Sequence, residues 1–212
     1  VVATPIGNLG DVSPRAAQTL AEAALVVCED SRVPGRLLQH LDLHKPMLAY
    51  HDHNAAQMRP RLLAALGEGK LLALVSDAGT PGISDPGHKL VREAAEAGYE
   101  IVAVPGPSAV VAALSLAGLP TARFLFAGFL PSRAAARRAA LEELRAVPAT
   151  LVLYEAPQRV AECLADAAAV LGPRPAALVR ELTKRFEEVR RGDLAGLAAE
   201  MAAGTTPKGE MV

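Results

Sequence analysis

Short apolar runs alternate with longer amphipathic stretches along the whole chain. The apolar runs are rich in Val, Leu and Ile, and the amphipathic stretches are rich in Ala. The runs predict strands at Val1–Thr4, Leu25–Cys28, Met47–Tyr50, Leu71–Ser76, Ile101–Val104, Phe124–Ala127, Thr150–Tyr154, Ala176–Arg180 and Glu187–Arg190. The stretches predict helices at Pro14–Ala24, Asn54–Leu66, Pro86–Ala97, Pro107–Ala117, Ser132–Val147, Arg159–Leu171 and Asp193–Ala203. Strands that alternate with helices are typical of an α/β fold.

Local signals refine three of these elements. The uninterrupted apolar character of residues 71–75 predicts a strand covered on both faces. Ser13 followed by Pro14 predicts a helix that begins at Pro14, with Ser13 as its N-cap. Residues 101–122 carry no charge and are long enough to span a bilayer, but Pro105-Gly106-Pro107-Ser108 interrupts them. We therefore expect a buried strand, a turn and a helix there.

A change in charge divides the chain. Residues 1–122 hold 9 Lys/Arg against 12 Asp/Glu, whereas residues 123–192 hold 12 against 8. Helix-breaking residues at 118–121 fall where the balance changes, which predicts two α/β lobes, 1–119 and 120–212, with a cofactor cleft between them. An anionic partner should meet the second lobe. Residues 208–212 resemble the start of a further strand, so we expect the chain to continue, and the missing initiator Met suggests residues upstream.

Composition excludes several classes of protein. Hydrophobic residues make up 51% of the 212 residues, so the chain is globular and not disordered. Its 3 Tyr, 4 Phe and absent Trp leave little for the base-stacking surfaces of RNA-binding sheets. Cys28 and Cys163 are too few for a disulfide framework or a Cys-based zinc site, which fits a reduced cytosolic setting. The N-terminus also lacks the features of a signal peptide.

Three Gly/Pro-rich loops follow predicted strands. They are Thr4–Asp11, Ser76–Gly87 and Val104–Ala109. Such loops allow a ligand to approach the backbone closely, at the strand ends where open α/β sheets bind ligands. Each alone is weak evidence, because a Gly/Pro turn commonly ends a strand, but together they favour a ligand of cofactor size.

Several familiar sites are not indicated. No G-x-x-x-x-G-K-[ST] sequence is present, and Asp77-x-Gly79-x-x-Gly82 lacks the helix and acidic residue of a dinucleotide fingerprint. No G-x-S-x-G nucleophile motif occurs either. His51 and His53 lack further ligands at readable spacing, so we predict no metal site and interpret them as a solvated strand end. Glu29-Asp30 either contacts a ligand or caps the following helix.

Two basic segments of the second lobe are candidates for phosphate contact. Arg133, Arg137 and Arg138 lie near a predicted helix start, and residues 180–188 concentrate charge between two strands. The alternative for both is ordinary solvated charge, with pairs such as Arg138 and Glu142 four residues apart.

An ordered set of motifs then resembles one family. The motifs are residues 3–11 (ATPIGNLGD), 76–87 (SDAGTPGISDPG), 105–109 (PGPSA), 128–131 (GFLP), 154–159 (YEAPQR) and 180–184 (RELTK). Together they resemble the ribosomal RNA small subunit methyltransferase I proteins of the tetrapyrrole methylase (class III methyltransferase) superfamily. One departure is Gln158, where the family usually has His, and we assign Gln158 no catalytic role.

The resemblance implies S-adenosylmethionine as cofactor, a homodimer, and 2'-O-methylation of a cytidine ribose in 16S rRNA of the 30S subunit. It places the cofactor against Pro5, Gly7, Asn8, Leu9, Gly10, Asp77, Ala78, Gly79, Thr80, Pro81, Gly82, Ile83, Ser84, Asp85, Ser108, Ala109 and Thr183. The basic residues of the second lobe then become candidate RNA contacts, namely Arg133, Arg137, Arg138 and Arg180, and the resemblance brings Lys184 close to the cofactor or the RNA.

The ribose hydroxyl must lose a proton during such a transfer, and three second-lobe residues are candidates for assisting it: Lys184, Glu155 and Glu187. Two other functions stay open at this point. A tetrapyrrole C-methyltransferase would bind no RNA, and a non-enzymatic RNA-binding protein would bind no cofactor.

Overall fold

The computed structural model describes residues 1–85 and 87–212, and it contains two compact units, Val1–Ser108 and Ala109–Val212. The division falls about one helix before the predicted boundary at 119. The helix over Ala109–Ala117 belongs to the second unit because its Val110 and Leu114 pack against Val152, and because the Leu116 carbonyl accepts a hydrogen bond from Arg191. The helix-breaking residues 118–121 therefore form a turn inside the second unit.

The described residues form seven strands and eight helices, apart from a short 3-10 helix at Leu9–Asp11. The strands are β1 (Leu25–Cys28), β2 (Met47–Ala49), β3 (Leu72–Leu74), β4 (Phe124–Phe129), β5 (Thr150–Tyr154), β6 (Pro175–Arg180) and β7 (Glu188–Asp193). The helices are α1 (Pro14–Glu22), α2 (Arg32–His40), α3 (Ala55–Gly67), α4 (Gly87–Glu96), α5 (Ala109–Ala117), α6 (Ala134–Leu144), α7 (Val160–Leu171) and α8 (Leu194–Ala203). Pro86, where the sequence begins α4, lies outside the described residues.

A parallel sheet in the order β2-β1-β3 forms the centre of the first unit. Val2 extends it, since its N–H donates to the Leu74 carbonyl and its backbone bridges Val104 in parallel. Residues 1–4 and 101–104 were predicted as strands. In the structure they form isolated β-bridges, Val2 with Val104 and Thr4 with Gly79, and no continuous strand. Pro5 and Pro105 follow these segments directly, and a proline cannot donate to a ladder.

The sheet of the first unit is buried on both faces. Val26 and Ala73 pack into one apolar cluster with Leu20 of α1, whereas Val27 and Leu74 pack into another with helical side chains of α3 and α4. Neighbouring residues point to opposite faces because the side-chain period of a strand is two. The prediction of a strand covered on both faces at residues 71–75 is therefore confirmed for β3 and Val75, whereas Leu71 lies outside the strand and is exposed.

Two strand pairs form the second unit. β4 and β5 are parallel, and β6 and β7 are antiparallel. The last three residues lie between β5 and β6, where Met211 bridges Glu155 on one side and Arg180 on the other. Helices α6, α7 and α8 pack together beside these strands, around Leu141, Cys163 and Leu194.

Two other features concern the helices. Ser13 accepts a hydrogen bond from the Ala16 N–H, so the predicted cap of α1 is confirmed. The helix expected after Asp30 is α2; it contains Pro34 near its start, where a proline is tolerated because the first N–H groups of a helix have no partner within it. Within residues 1–85 and 87–212, every helix is too short or too polar to cross a membrane.

Candidate functional site

The three Gly/Pro-rich loops of the first unit meet. Thr4 and Gly79 exchange two backbone hydrogen bonds of 2.9 and 3.1 Å. The Thr80 hydroxyl donates to the Pro107 carbonyl at 3.2 Å. Sequence alone could suggest this convergence, because the carboxyl ends of parallel strands share one sheet edge.

The central loop uses left-handed backbone at two glycines. Gly79 has φ +80° and Gly82 has φ +86°. A Cβ at Gly79 would lie 3.2 Å from the Ile6 side chain, whereas a Cβ at Gly82 would meet nothing within 4 Å among the described residues. The Asp85 carboxylate closes the loop, since it accepts hydrogen bonds from the Gly82 N–H at 2.7 Å and the Gly87 N–H at 2.8 Å. The loop is therefore shaped by its glycines and by Asp85, and none of the described residues fills the space next to Gly82.

The first loop is exposed where the sequence places cofactor contacts. Residues 7–10 are exposed, and the Asn8 side chain accepts a hydrogen bond from the Gly10 N–H at 3.0 Å, which shapes the short 3-10 helix. The backbone groups of this loop are thus accessible to a ligand.

Carboxylates gather beside the central loop. The Asp77 carboxylate accepts a hydrogen bond from the Asp30 N–H, which ties β1 to the loop after β3. Partial burial raises the pKa of Glu29, and the negative charges of Asp77 and Asp85 raise it further. Asp30 accepts a hydrogen bond from the Arg32 N–H at 2.9 Å. Of the two interpretations of Glu29-Asp30, capping of the following helix therefore applies to Asp30.

Neither cysteine is an activated nucleophile. Burial raises the pKa of Cys28 to about 11 and that of Cys163 to about 12. Both thiols stay protonated near neutral pH. In the described part of the chain, no three His, Cys, Asp or Glu side chains are grouped so that they could hold a metal ion.

Arg137 was predicted to contact phosphate, and its surroundings contradict that role. The residue is 2% exposed, and its guanidinium donates to Asp166 at 2.7 Å and to the Ser132 carbonyl at 3.2 Å. It also lies 3.4 Å from Glu162. A guanidinium enclosed in this way joins α6 to α7 and is not available to RNA.

The other predicted RNA contacts are accessible to different degrees. Arg133 is exposed, and the Arg138 side chain is 61% exposed although it pairs with Asp166. Arg180 is held more tightly, by Glu188 at 3.1 Å and by the Lys208 carbonyl at 2.8 Å. Arg133 and Arg138 are thus the more accessible cations of this set.

Glu155, a predicted proton acceptor, has both carboxylate oxygens occupied. The residue is 7% exposed, and one oxygen accepts from the Ala156 N–H at 2.8 Å while the other accepts from Arg159 at 3.2 Å. Both oxygens of this buried carboxylate thus already accept hydrogen bonds from the protein itself. The structure therefore argues against Glu155 in this role.

Thr183 and Lys184 lie in a strained loop between β6 and β7. Glu181 has φ +51° and Thr183 has φ +64°, a conformation that is unfavourable for a β-branched residue. The Thr183 N–H donates to Glu187 at 2.6 Å, and the buried Thr183 hydroxyl has no hydrogen-bond partner among the described residues. Strain of this kind is found disproportionately at functional sites.

The Lys184 ammonium is held by two carboxylates, Glu181 at 2.7 Å and Glu210 at 2.9 Å. Burial alone would lower the pKa of Lys184, but the hydrogen bonds to these carboxylates raise it above its ordinary value. Lys184 is therefore a cation at physiological pH and cannot accept a proton.

The sequence did not identify the carboxylates that pair with Lys184 and Arg137. Glu210 is 26 residues from Lys184, and Asp166 is 29 residues from Arg137. Neither pair has a helical spacing that would indicate contact.

Comparison with known proteins decides the family. The family model of tetrapyrrole (corrin/porphyrin) methylases matches residues 1–198. The ribosomal RNA small subunit methyltransferase I of Mesorhizobium japonicum is 54% identical over 100% of this chain and 72% of its own length. That of Xylella fastidiosa is 51% identical over 100% of this chain and 78% of its own length. The chain belongs to the ribosomal RNA small subunit methyltransferase I family.

Membership in this family of tetrapyrrole methylases confirms the predicted α/β fold class. The structure of uroporphyrin-III-C-methyltransferase from Thermus thermophilus matches with a TM-score of 0.69 over 99% of this chain and 90% of that chain, at 23% identity. The family consists of methyltransferases, so the chain is an enzyme. The alternative of a non-enzymatic RNA-binding protein is therefore wrong.

Proposed function

We propose that the chain transfers a methyl group from S-adenosylmethionine to the 2'-hydroxyl of a cytidine ribose in 16S rRNA of the small ribosomal subunit. The observation that carries this proposal is the 54% identity, over the whole chain, with a ribosomal RNA small subunit methyltransferase I. The tetrapyrrole alternative has weaker support, because the tetrapyrrole methylase family model describes the broader family and the matching tetrapyrrole enzyme structure is only 23% identical.

The first unit has loops that fit such a cofactor. None of the described residues lies within 4 Å of the position that a Cβ of Gly82 would take, and residues 7–10 are exposed. Backbone N–H and C=O groups suit the amino acid and adenosine parts of the molecule, which have both donors and acceptors. In this proposal the cofactor contacts are Pro5, residues 7–10, residues 77–85, Ser108, Ala109 and Thr183.

The cofactor supplies a sulfonium methyl group that is transferred by in-line displacement. The protein then acts mainly by positioning the reactants, and correct positioning can account for much of the rate enhancement. Lys184, a cation held by Glu181 and Glu210, stabilises the negative charge that develops on the ribose oxygen. Glu187 is exposed and accepts a hydrogen bond from the Thr183 N–H, so it is the remaining candidate for the proton acceptor.

The second unit carries the proposed RNA contacts. Residues 123–192 have an excess of four positive charges, and Arg133 and Arg138 are exposed near the start of α6. Exposed arginines bind phosphate without sequence preference, and such contacts position an RNA. Arg180 and Lys184 complete the set. The proposal includes a homodimer, which the family resemblance implies, and a cytoplasmic location, which fits the two free cysteines.

Transfer of labelled methyl groups to different acceptors tests the proposal. We expect incorporation into 30S subunits that lack their native modifications, and none into uroporphyrinogen or fully modified subunits. Incorporation into the tetrapyrrole alone would replace the proposal with the C-methyltransferase alternative. In calorimetry, the chain should bind S-adenosylmethionine with the same affinity in the presence and absence of EDTA.

A further inference from the structure

Strand β4 contains a β-bulge near its carboxyl end. Phe126 pairs with Val152 and Phe129 pairs with Tyr154, so three steps along β4 match two steps along β5. Gly128 lies inside the bulge with φ +64°, a left-handed conformation that glycine adopts without strain. Bulges change the direction of a side chain and are found disproportionately beside active sites.

The bulge brings Phe129 to the face of the strand pair that carries Phe126 and Tyr154. Side chains alternate along a regular strand, so three regular steps would place the two phenylalanines on opposite faces. Instead both rings contact Tyr154 edge to face, with centroid distances of 4.7 Å for Phe126 and 5.5 Å for Phe129. Phe126 packs with Val110 of α5, whereas Phe129 is 57% exposed. The bulge therefore presents one aromatic ring to solvent.

The backbone on both sides of Phe129 is fixed. The bulge precedes it, and Leu130 follows it as a buried residue whose carbonyl accepts a hydrogen bond of 2.7 Å from Arg159. This hydrogen bond joins two motifs of the sequence, residues 128–131 and 154–159, that the proposed cofactor contacts do not use. An exposed ring on a fixed backbone loses little conformational entropy when it binds a ligand.

The aromatic pair of Phe129 and Tyr154 is connected to the Lys184 loop. The residue after Tyr154 forms a backbone bridge with Met211, and the neighbouring Glu210 pairs with Lys184 at 2.9 Å. Partial burial raises the pKa of Tyr154, and the negative charge of Glu210 raises it further. The exposed ring thus belongs to the same part of the second unit as the proposed catalytic lysine.

We propose that Phe129, supported by Tyr154, stacks on a base of the rRNA substrate, an inference that rests on the proposed function. Bases of single-stranded RNA are bound by aromatic rings, with arginines on the backbone phosphates. Arg133 is exposed four residues after Phe129, at the start of α6, where it would meet a neighbouring phosphate. The few aromatic residues of the chain do not provide an extended stacking surface, but one stacking position needs only one ring.

A base fits this surface better than a second copy of the chain. Each partner in a standard protein interface buries about 800 Å², far more than one phenyl ring provides. The exposed arginine beside the ring also favours an anionic partner.

Affinity for 30S subunits lacking their native modifications tests the proposal. We expect Phe129→Ala and Phe129→Leu to weaken binding by at least about fivefold, because both remove the aromatic face. Phe129→Tyr keeps that face and should bind like the parent. Phe124→Ala is the matched control, since Phe124 is 47% exposed at the opposite end of the same strand, and it should keep the parental affinity.

Two further measurements separate stacking from other roles. A stacked base releases no counterion, so Phe129→Ala should leave the slope of log affinity against log salt unchanged, whereas Arg133→Ala should reduce its magnitude by about 0.7. A circular-dichroism melt should show that the variants are folded. Phe129→Leu keeps an apolar contact with Tyr154 and tests the proposal even if Phe129→Ala is destabilised.

Parental affinity in both Phe129→Ala and Phe129→Leu, or weakened binding in Phe129→Tyr, would overturn the proposal. So would light scattering that shows a dimeric parent and a monomeric Phe129→Ala, because the ring would then contact a second copy. Methylation of the same subunits by the parent is measured in parallel. A parent that binds the subunits without methylating them contradicts the proposed function alone, and a parent that does not bind them contradicts both.

Discussion

Arg133 and Arg137 give the same signal in the sequence, and the structure gives them opposite roles. Both lie near the start of α6, but Arg133 is exposed whereas Arg137 is 2% exposed and paired with Asp166. The difference depends on α7, which is distant in sequence and supplies the carboxylate. Sequence could therefore identify a basic helix start, but not which arginine is buried.

Arg137→Ala should destabilise the second unit by roughly 3 kcal/mol or more, because it leaves the buried Asp166 with Arg138 alone. Arg133→Ala is the matched control and should change the unfolding free energy by less than about 0.5 kcal/mol. Urea unfolding of the two variants checks this. Equally small changes in the unfolding free energy of both variants would mean that the pair of Arg137 and Asp166 does not stabilise the fold.

The same pair predicts a pH dependence. Burial alone would raise the pKa of Asp166, but hydrogen bonds from Arg138 and Arg137 outweigh it and lower the pKa. A carboxyl whose folded pKa is depressed stabilises the fold above its unfolded pKa, about 3.9, and loses that contribution as the pH falls further. The stability difference between the parent and Asp166→Asn should thus stay constant above about pH 5 and shrink below about pH 4. A difference that grew on acidification would contradict the assignment.

Gly82 and Gly98 separate ligand binding from backbone strain. Both have a left-handed φ, +86° and +82°, and a Cβ at either would meet nothing within 4 Å among the described residues. Alanine at either position should therefore cost a similar 1–2 kcal/mol or so of strain. We expect Gly82→Ala alone to weaken S-adenosylmethionine binding in calorimetry. Normal affinity in Gly82→Ala would remove the central loop from the cofactor site.

At the scale of elements, the periodic segments were predictable and the short or interrupted ones were not. β1 and β5 have the predicted bounds because continuous Val and Leu runs leave few alternatives. α2 contains Pro34-Gly35, and its start depends on Asp30, which is itself tied to Asp77 after β3. Residues 1–4 form bridges only because Val104 and Leu74 approach them, a tertiary contact that a local pattern does not contain.

The loop between β6 and β7 carries the catalytic prediction. Lys184→Ala should lower the single-turnover methylation rate by about 100-fold or more, the loss seen when a group that stabilises a developing oxyanion is removed. Cofactor and RNA affinities should change far less. Lys208→Ala, an exposed lysine in the segment that carries Glu210, is the control and should keep the parental rate. If the rate of Lys184→Ala is within about threefold of the parental rate, Lys184 forms only surface ion pairs and has no catalytic role.

In the molecule taken as a whole, the sequence correctly predicted an α/β enzyme, and the three Gly/Pro-rich loops that it singled out meet in the first unit. It placed the division between units about one helix late, because the packing of α5 on Val152 is invisible in a local pattern of breakers. The resemblance of six ordered motifs supplied the reaction, which composition and spacing alone could not have specified.

Identification of the methylated nucleoside shows whether the chain is a cytidine 2'-O-methyltransferase of 16S rRNA. The protein is incubated with labelled S-adenosylmethionine and 30S subunits lacking their native modifications, and the rRNA is then digested to nucleosides. We predict that the label is recovered as 2'-O-methylcytidine from a single position of 16S rRNA. Label recovered on a base, or in no nucleoside at all, would contradict the account.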